Sequence, residues 1–580
     1  MKFPLPSSPL LIGLACLLWG QFSIAAAISE RIDLSSGTVL ASTRDPNGVL
    51  SFKGIPYAAP PLGDLRWQSP RPVDPWTIPL NASVFGSNCW SSLQPLQDPA
   101  SEYSEDCLTI NVWTSANTTS DKQAVMVWIY GGGFQFGSSS QPQYNGQHLA
   151  QKDVVVVSFN YRLAALGFFA LTELDKEGSP SGNQGLQDQI AALRWVNENI
   201  ANFGGDPGRV TIFGQSAGSS SVSLLLASPH TKGLVQRAVM ESGAFWDTGY
   251  GPLMNFTEAR QLGSSLVSTL GVNSLAAMRG LSAQEILNAT PYSLQIQKPV
   301  LFAPSVDQYI VPMPPSQAFF ESKQADVDLM AGWTGAEGTL FLPLSFPHNT
   351  ASQFEAAAVD WFGASHLTQF KSVYPDGPGQ LNNSALKQIG DMQVREQTFY
   401  AAKSQLKKGA SVFLYYYDYS SPHSPVPIHT AELAYVFGTL DAPPSIAGGQ
   451  GPPATDQDFK FSDIIMSYWV NFAKMGDPNG GSGSSLAQWP KFAGQGIPTL
   501  RFTNSSIAAY EYPQQPFDFI EQFRTAGVLP WKWQSLNILT DVATTDWWAG
   551  LLESASDNLA TLCIKELAQS DGQFLSISLQ

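Results

Sequence analysis

Arg209-Val210-Thr211-Ile212-Phe213-Gly214-Gln215-Ser216-Ala217-Gly218-Ser219-Ser220-Ser221-Val222-Ser223-Leu224-Leu225-Leu226 carries a strand, a turn and the start of a helix in one short stretch. Arg209–Phe213 reads as a strand running into Gly214, and Ser219–Leu226 reads as the opening of a helix. Between them, Gly214-Gln215-Ser216-Ala217-Gly218 fits Gly-x-Ser-x-Gly. That pattern says little alone. Between a strand and a helix it predicts the sharp elbow that lifts a serine hydroxyl above a sheet. The glycines are needed because side chains would collide in so tight a turn. A helix N-terminus beneath the serine adds a field that favours developing negative charge.

Upstream, Val125–Tyr130 and Asp153–Phe159 are continuous apolar runs, as expected of strands buried on both faces of a parallel sheet. A helix is expected from Leu186 to Phe203, with Ile190, Leu193, Val196 and Ile200 on one face and Gly204 as its stop. Strand, helix and strand with tight turns follow βαβ logic. Val327–Ala331 and Val412–Tyr417 are also strand-like. Gly448–Pro453 and Gly480–Ser485 read as surface loops rather than linkers, because regular patterns resume after each. The expectation is one α/β domain over residues 28–525, with a large, mostly parallel sheet flanked by helices. Residues 526–580, with Trp531, Trp533, Trp547 and Trp548, are expected to be helical and packed on that domain.

Tyr130-Gly131-Gly132-Gly133-Phe134 ends the Val125 strand. Consecutive glycines let backbone N–H groups approach a ligand unobstructed. The N–H groups of Gly132, Gly133 and Ala217 would form a three-donor oxyanion hole.

Composition narrows the partners. With 43% hydrophobic and 12% aromatic residues among 580, the chain can bury a large core. Its 31 basic and 47 acidic residues give a net charge of −16, the wrong sign for tracking phosphates, so nucleic acid is not expected as a partner. No cysteine or histidine cluster has metal-ligand spacing, and no metal or cofactor is expected. Lys2, the apolar stretch Leu10–Trp19 and the small residues Ala25–Ala27 read as a secretory signal spanning residues 1–27. No later run is long enough to span a bilayer, so stable membrane insertion is not expected. With Cys16 removed, Cys89, Cys107 and Cys563 remain. Export favours a Cys89–Cys107 bridge worth roughly 3 kcal/mol in the chain-entropy model, with Cys563 left as a buried thiol or an intermolecular link. Asn81, Asn117, Asn255, Asn288, Asn382 and Asn504 head glycosylation sequons.

Six blocks now stand in order: Phe52–Ala58, Glu105–Leu108, Trp128–Phe134, Gly182–Asp188, the elbow, and Phe472–Pro478. From about Gly37 to Tyr512 the chain resembles the type-B carboxylesterase/cholinesterase family of α/β-hydrolases, including the large fungal extracellular esterases and lipases. That resemblance implies a serine carboxylic-ester hydrolase. It places the acid at Glu337, in Gly335-Ala336-Glu337-Gly338, and the base at His429, ahead of Glu432-Leu433-Ala434-Tyr435-Val436-Phe437-Gly438. The order Ser216, Glu337, His429 suits the fold. The remaining histidines lack such context. The resemblance also implies bracing ion pairs Arg66–Glu105 and Arg162–Asp188, and a Ser242 that hydrogen-bonds beside the triad.

The expected substrate is a small-molecule ester of short-to-medium or bulky soluble kind. The loop between Cys89 and Cys107 has a single tryptophan, Trp90, directly after the cysteine, so the family's choline-binding aromatic is not evident. With Leu93, Leu96 and several polar residues, that loop is too short for a large interfacial lid. The alternatives are a lipase, an acyltransferase or lactone-handling enzyme of biosynthesis, and a binding protein that has lost its chemistry. The intact Ser216, Glu337 and His429 count against the last.

Overall fold

Ten strands hydrogen-bond into one sheet in the computed structural model, which describes residues 26–91, 102–178, 180–249, 253–290, 302–342, 345–442, 452–481 and 483–524. The signal segment, Leu93, Leu96, most of the Gly448–Pro453 loop, Cys563 and the four C-terminal tryptophans lie outside the described residues. In chain order the strands are β1 (Leu50–Pro56), β2 (Thr109–Thr114), β3 (Gln123–Ile129), β4 (Val154–Phe159), β5 (Gly205–Gln215), β6 (Arg237–Glu241), β7 (Asp328–Thr334), β8 (Val412–Tyr417), β9 (Pro498–Phe502) and β10 (Ile507–Glu511). Their order in space is β10-β9-β8-β7-β6-β5-β3-β4-β2-β1. The pairings from β4 through β9 are all parallel, while β1, β2 and β10 close the two edges antiparallel.

The apolar runs explain the centre. All six residues of β4 are buried, as are Ala124–Ile129 of β3. Alternation would have left one face wet; continuous Val and Ile fill both faces, as a helix-covered parallel sheet requires. The expected strand at Arg209 begins four residues earlier, at Gly205, where β5 pairs with Gln123 before a register shift. The helix expected from Leu186 is α1 (Gln184–Asn199), which tightens into a 3₁₀ turn at Ile200–Phe203 and stops at Gly204 in a left-handed conformation. Helix α2 (Ala217–Ala227) follows the elbow and packs on β5 and β6. Helix α3 (Glu396–Leu406) packs on β7, and α4 (Asp456–Met475), closed by a Thr455 capping box, packs on β3 and β5. Among the described residues no helix is long and apolar enough to cross a membrane.

The bracing pairs form as the resemblance implied. Arg162 grips Asp188 through Nε and Nη2, both at 2.7 Å, and Asp188 also accepts the Arg162 backbone N–H at 3.0 Å. Arg66 meets Glu105 through Nε at 2.7 Å and through Nη2, and Cys89 is bonded to Cys107. Because Asp188 is fully buried, removing its partner strands a charge in the core. Arg162→Met is therefore expected to cost about 3–5 kcal/mol. An unchanged midpoint in urea-induced unfolding at neutral pH would contradict this bracing role.

Candidate active site

β5 ends at Gln215 and α2 begins at Ala217, so a single residue, Ser216, makes the turn. Its φ of 58° and ψ of −123° lie where residues with a side chain are rarely found, and the surroundings must hold it there. One restraint is the Ser216 N–H, which donates to Glu241 O at the end of β6, at 3.0 Å. The other is close backbone contact. A Cβ at Gly218 would lie 2.0 Å from Ile129 O, and one at Gly214 would lie 2.6 Å from the Gly218 carbonyl carbon. Only hydrogen fits at either position.

The glycine loop after β3 lies against this elbow: a Cβ at Gly131 would be 2.6 Å from Gln215 O. Gly132 and Gly133 have φ of 108° and 63°. The Gly132 carbonyl accepts from the N–H groups of Gln135 and Phe136 at 3.0 and 3.2 Å, and Gln135 Nε2 donates to Gly133 O and Phe302 O at 3.3 and 2.8 Å. The carbonyls are thus tied down, whereas the N–H groups of Gly132, Gly133 and Ala217 meet no acceptor among the described residues. Above them, Phe134 packs edge-on against Trp246 at 5.0 Å.

Glu337 stands in the loop after β7. Its Oε1 accepts the Thr334 N–H at 2.7 Å and its Oε2 accepts from His429 Nδ1 at 2.6 Å. A β-bridge between Ala336 and Ile428 draws the two loops together, and Phe341 lies edge-on to the imidazole at 5.1 Å. With Nδ1 donating, Nε2 keeps the lone pair. That lone pair is met at 3.0 Å by Gln215 Nε2, which can only donate. No hydrogen bond among the described residues joins Ser216 Oγ to His429. Burial pushes the Glu337 carboxyl up, but the electrostatic pull of the adjacent His429, the hydrogen bonds from His429 and Thr334 and the nearby Ser242 hydroxyl outweigh it, so it sits below its ordinary value.

Two further carboxyls lie beneath the site, both fully buried. Glu432 Oε1 accepts from Ser242 Oγ at 3.3 Å and Tyr415 OH at 3.4 Å; Glu241 Oε1 accepts from Trp469 Nε1 at 2.6 Å. The second oxygen of each has no partner among the described residues. Burial pushes Glu241 up to about 8, against the Trp469 hydrogen bond. Burial, with Glu241 and Glu337 nearby, pushes Glu432 well above the usual carboxylate range. Gln215 and Glu432 stand within motifs of the sequence, and neither they nor Glu241 carry an assigned role there. Their positions were the available signal: one precedes the serine, one precedes Ser242, and one follows His429 by three residues.

The pKa shift of Glu241 has a consequence for stability. Between its ordinary value of 4.5 and the folded value of about 8, the folded chain holds a proton that the unfolded chain releases. Its contribution to stability is complete below pH 4.5 and is lost as pH rises through 8. Thermal midpoints measured from pH 5 to pH 8 are expected to fall more steeply for the wild type than for Glu241→Gln. Parallel curves would show that Glu241 is not held neutral.

Comparison with known proteins agrees with this geometry. Residues 29–519 match the carboxylesterase family. The chain is 35% identical to the para-nitrobenzyl esterase of Bacillus subtilis over 458 residues, which is 77% of this chain and 89% of that one. It is 34% identical to the cholinesterase of Mus musculus, covering 77% and 78% of the two chains. A solved structure of PNB esterase superposes with a TM-score of 0.72 at 32% identity, over 87% of this chain and all of the other. The match takes in all ten strands and the loops that meet at their carboxyl ends, so the chain belongs to the carboxylesterase family and is a carboxylic ester hydrolase of the α/β-hydrolase fold.

Proposed function

We propose that the enzyme works through an acyl-enzyme on Ser216, with His429 as general base and acid and Glu337 as the group that orients and charge-balances the imidazole. The observation that carries this reading is the 2.6 Å contact between His429 Nδ1 and Glu337 Oε2, which leaves Nε2 as a base beside the residue that precedes Ser216. In this reading the Gln215 amide yields its place at Nε2 when substrate is bound, and Ser216 gives its proton to that nitrogen. The alkoxide attacks the ester carbonyl, and the N–H groups of Gly132, Gly133 and Ala217 hold the oxyanion. His429 then protonates the leaving alcohol, and water repeats the cycle to release the acid.

We further propose a short-to-medium or compact soluble ester as substrate. Trp246 supports this: its ring edge lies 3.9 Å from where a Cβ at Gly133 would stand and so forms an aromatic wall beside the glycine loop. Secretion and N-glycosylation belong to the same proposal. The basic start and apolar stretch, the Cys89–Cys107 bond and the exposure of all six sequon asparagines support it. At Asn255 the side-chain oxygen caps a helix by accepting from Thr257 and Glu258 N–H, which leaves its amide nitrogen available for a glycan.

Hydrolysis of p-nitrophenyl esters from acetate to palmitate, measured beside Ser216→Ala, tests the reading. Turnover concentrated on short and medium chains and absent from the variant is the expected result. Retained turnover in Ser216→Ala would remove the serine mechanism, and a maximum at palmitate would replace the substrate class with lipids. Gly133→Val displaces one oxyanion donor and is expected to lower kcat about 100- to 1,000-fold; wild-type kcat on any of these esters would contradict the proposed hole.

A further inference from the structure

A long helical run changes its winding where it faces the Glu337 loop. Leu381–Gly390 and α3 are α-helical, but the segment between them, Asp391–Arg395, is a π-helix. Such wide turns are rare and recur at functional sites. Arg395, at the end of this one, is 5% exposed. Its Nη2 donates to Gly335 O at 2.7 Å and to Thr334 O at 3.3 Å. Its Nη1 donates to Asp391 Oδ1 at 2.9 Å, and Asp391 Oδ2 accepts from Tyr374 OH at 3.2 Å. The buried charge is therefore matched by Asp391, and one arm of the fork is given to two successive carbonyls of the loop that carries Glu337.

Around this grip the loop rests on the helix with little between them. A Cβ at Gly390 would be 3.0 Å from Gly338 N and 3.3 Å from Glu337 Cβ, and a Cβ at Gly338 would be 1.9 Å from Leu386 O. The loop is also held by backbone hydrogen bonds, Gly335 N to Tyr417 O and Ala336 N to Pro427 O, both 2.8 Å, and by Thr334 N to Glu337 Oε1 at 2.7 Å. Arg395 thus holds the carbonyl ends of the two peptides whose N–H ends are bonded to Tyr417 and Pro427. Rotating those peptides would swing Glu337 away from the 2.6 Å contact with His429.

We infer that Arg395 is a positioning residue: by holding the carbonyls of Thr334 and Gly335 it sets the orientation in which Glu337 meets the imidazole. The inference rests on the proposed roles of Glu337 and His429. Arg395 has no hydrogen bond to the imidazole; it acts through the loop and through the field of its charge on Glu337. A role confined to folding would lower stability without regard to which residue serves as the acid.

A double-mutant cycle separates the two. Arg395→Met and Arg395→Lys are placed in the wild-type chain and in Glu337→Gln. For each, kcat and KM for p-nitrophenyl butyrate are measured per folded molecule, counted by near-ultraviolet circular dichroism. In the wild-type background Arg395→Met is expected to lower kcat about 10- to 100-fold with KM changed less than about twofold. Arg395→Lys keeps the charge but not the planar fork, and is expected to lose severalfold. In Glu337→Gln, both are expected to cost less than about twofold more, because the group they orient has gone. The same loss in both backgrounds, or no loss in either variant, overturns the role of Arg395 and leaves the triad untouched. Undiminished kcat in Glu337→Gln overturns both. If Arg395→Met does not fold, Arg395→Lys closes the cycle alone.

Discussion

Everything at the site depends on three backbones touching with no side chain between them. The Ile129 carbonyl at the end of β3, the glycine loop that continues from it, and the first turn of α2 are so close that only hydrogen fits at Gly131 and Gly218. That contact holds Ser216 in its unfavourable backbone region and sets the distance between its hydroxyl and the N–H groups of Gly132 and Gly133. It also constrains the topology. β3 must lie directly beside β5 and run parallel to it, so that the two loops leave the same edge of the sheet, and the space order β5-β3-β4 meets that need. The carboxyl edge of a parallel sheet gathers residues remote in sequence; here it brings the loops after β3, β5, β7 and β8 into one place.

A second constraint is electrical. Three carboxyls lie buried under one imidazole, and all three as anions would oppose formation of an oxyanion above them. The surroundings divide them. Glu337 has the imidazole and a backbone N–H and is favoured as the anion, whereas Glu241 and Glu432 each leave an oxygen unpartnered and are pushed toward the protonated form. Of the three, Glu337 is thus the carboxyl favoured as an anion beside His429.

The sequence exposed the frame well for physical reasons. Runs such as Val154-Val155-Val156-Val157 have no amphipathic alternative, and the strand, glycine and helix signals around Ser216 agree with one another, so the fold and the elbow at Ser216 were legible locally. Glu337 and His429 were legible only through resemblance, because each stands in an irregular loop whose course is set by distant partners such as Pro427 and Arg395. The neutral glutamates and the grip of Arg395 were not legible at all. A carboxyl's charge state depends on burial from every side, and a π turn leaves no mark in hydrophobic periodicity. The start of β5 was misjudged by four residues because Gly205-Asp206-Pro207-Gly208 reads as a turn, and only its pairing with β3 makes it part of the strand.

The way the sheet is threaded also sets a timetable. Gln215 and His429 are neighbours in space but 214 residues apart in the chain. At roughly 5–20 residues per second of synthesis, the elbow precedes His429 by about 10–40 s. In the proposed mechanism the serine belongs throughout that interval to a chain with no imidazole to take its proton, and it remains an ordinary alcohol. On that mechanism the nascent polypeptide carries its own chemical safety: hydrolytic power arrives late, once the strands between Gln215 and His429 have closed up.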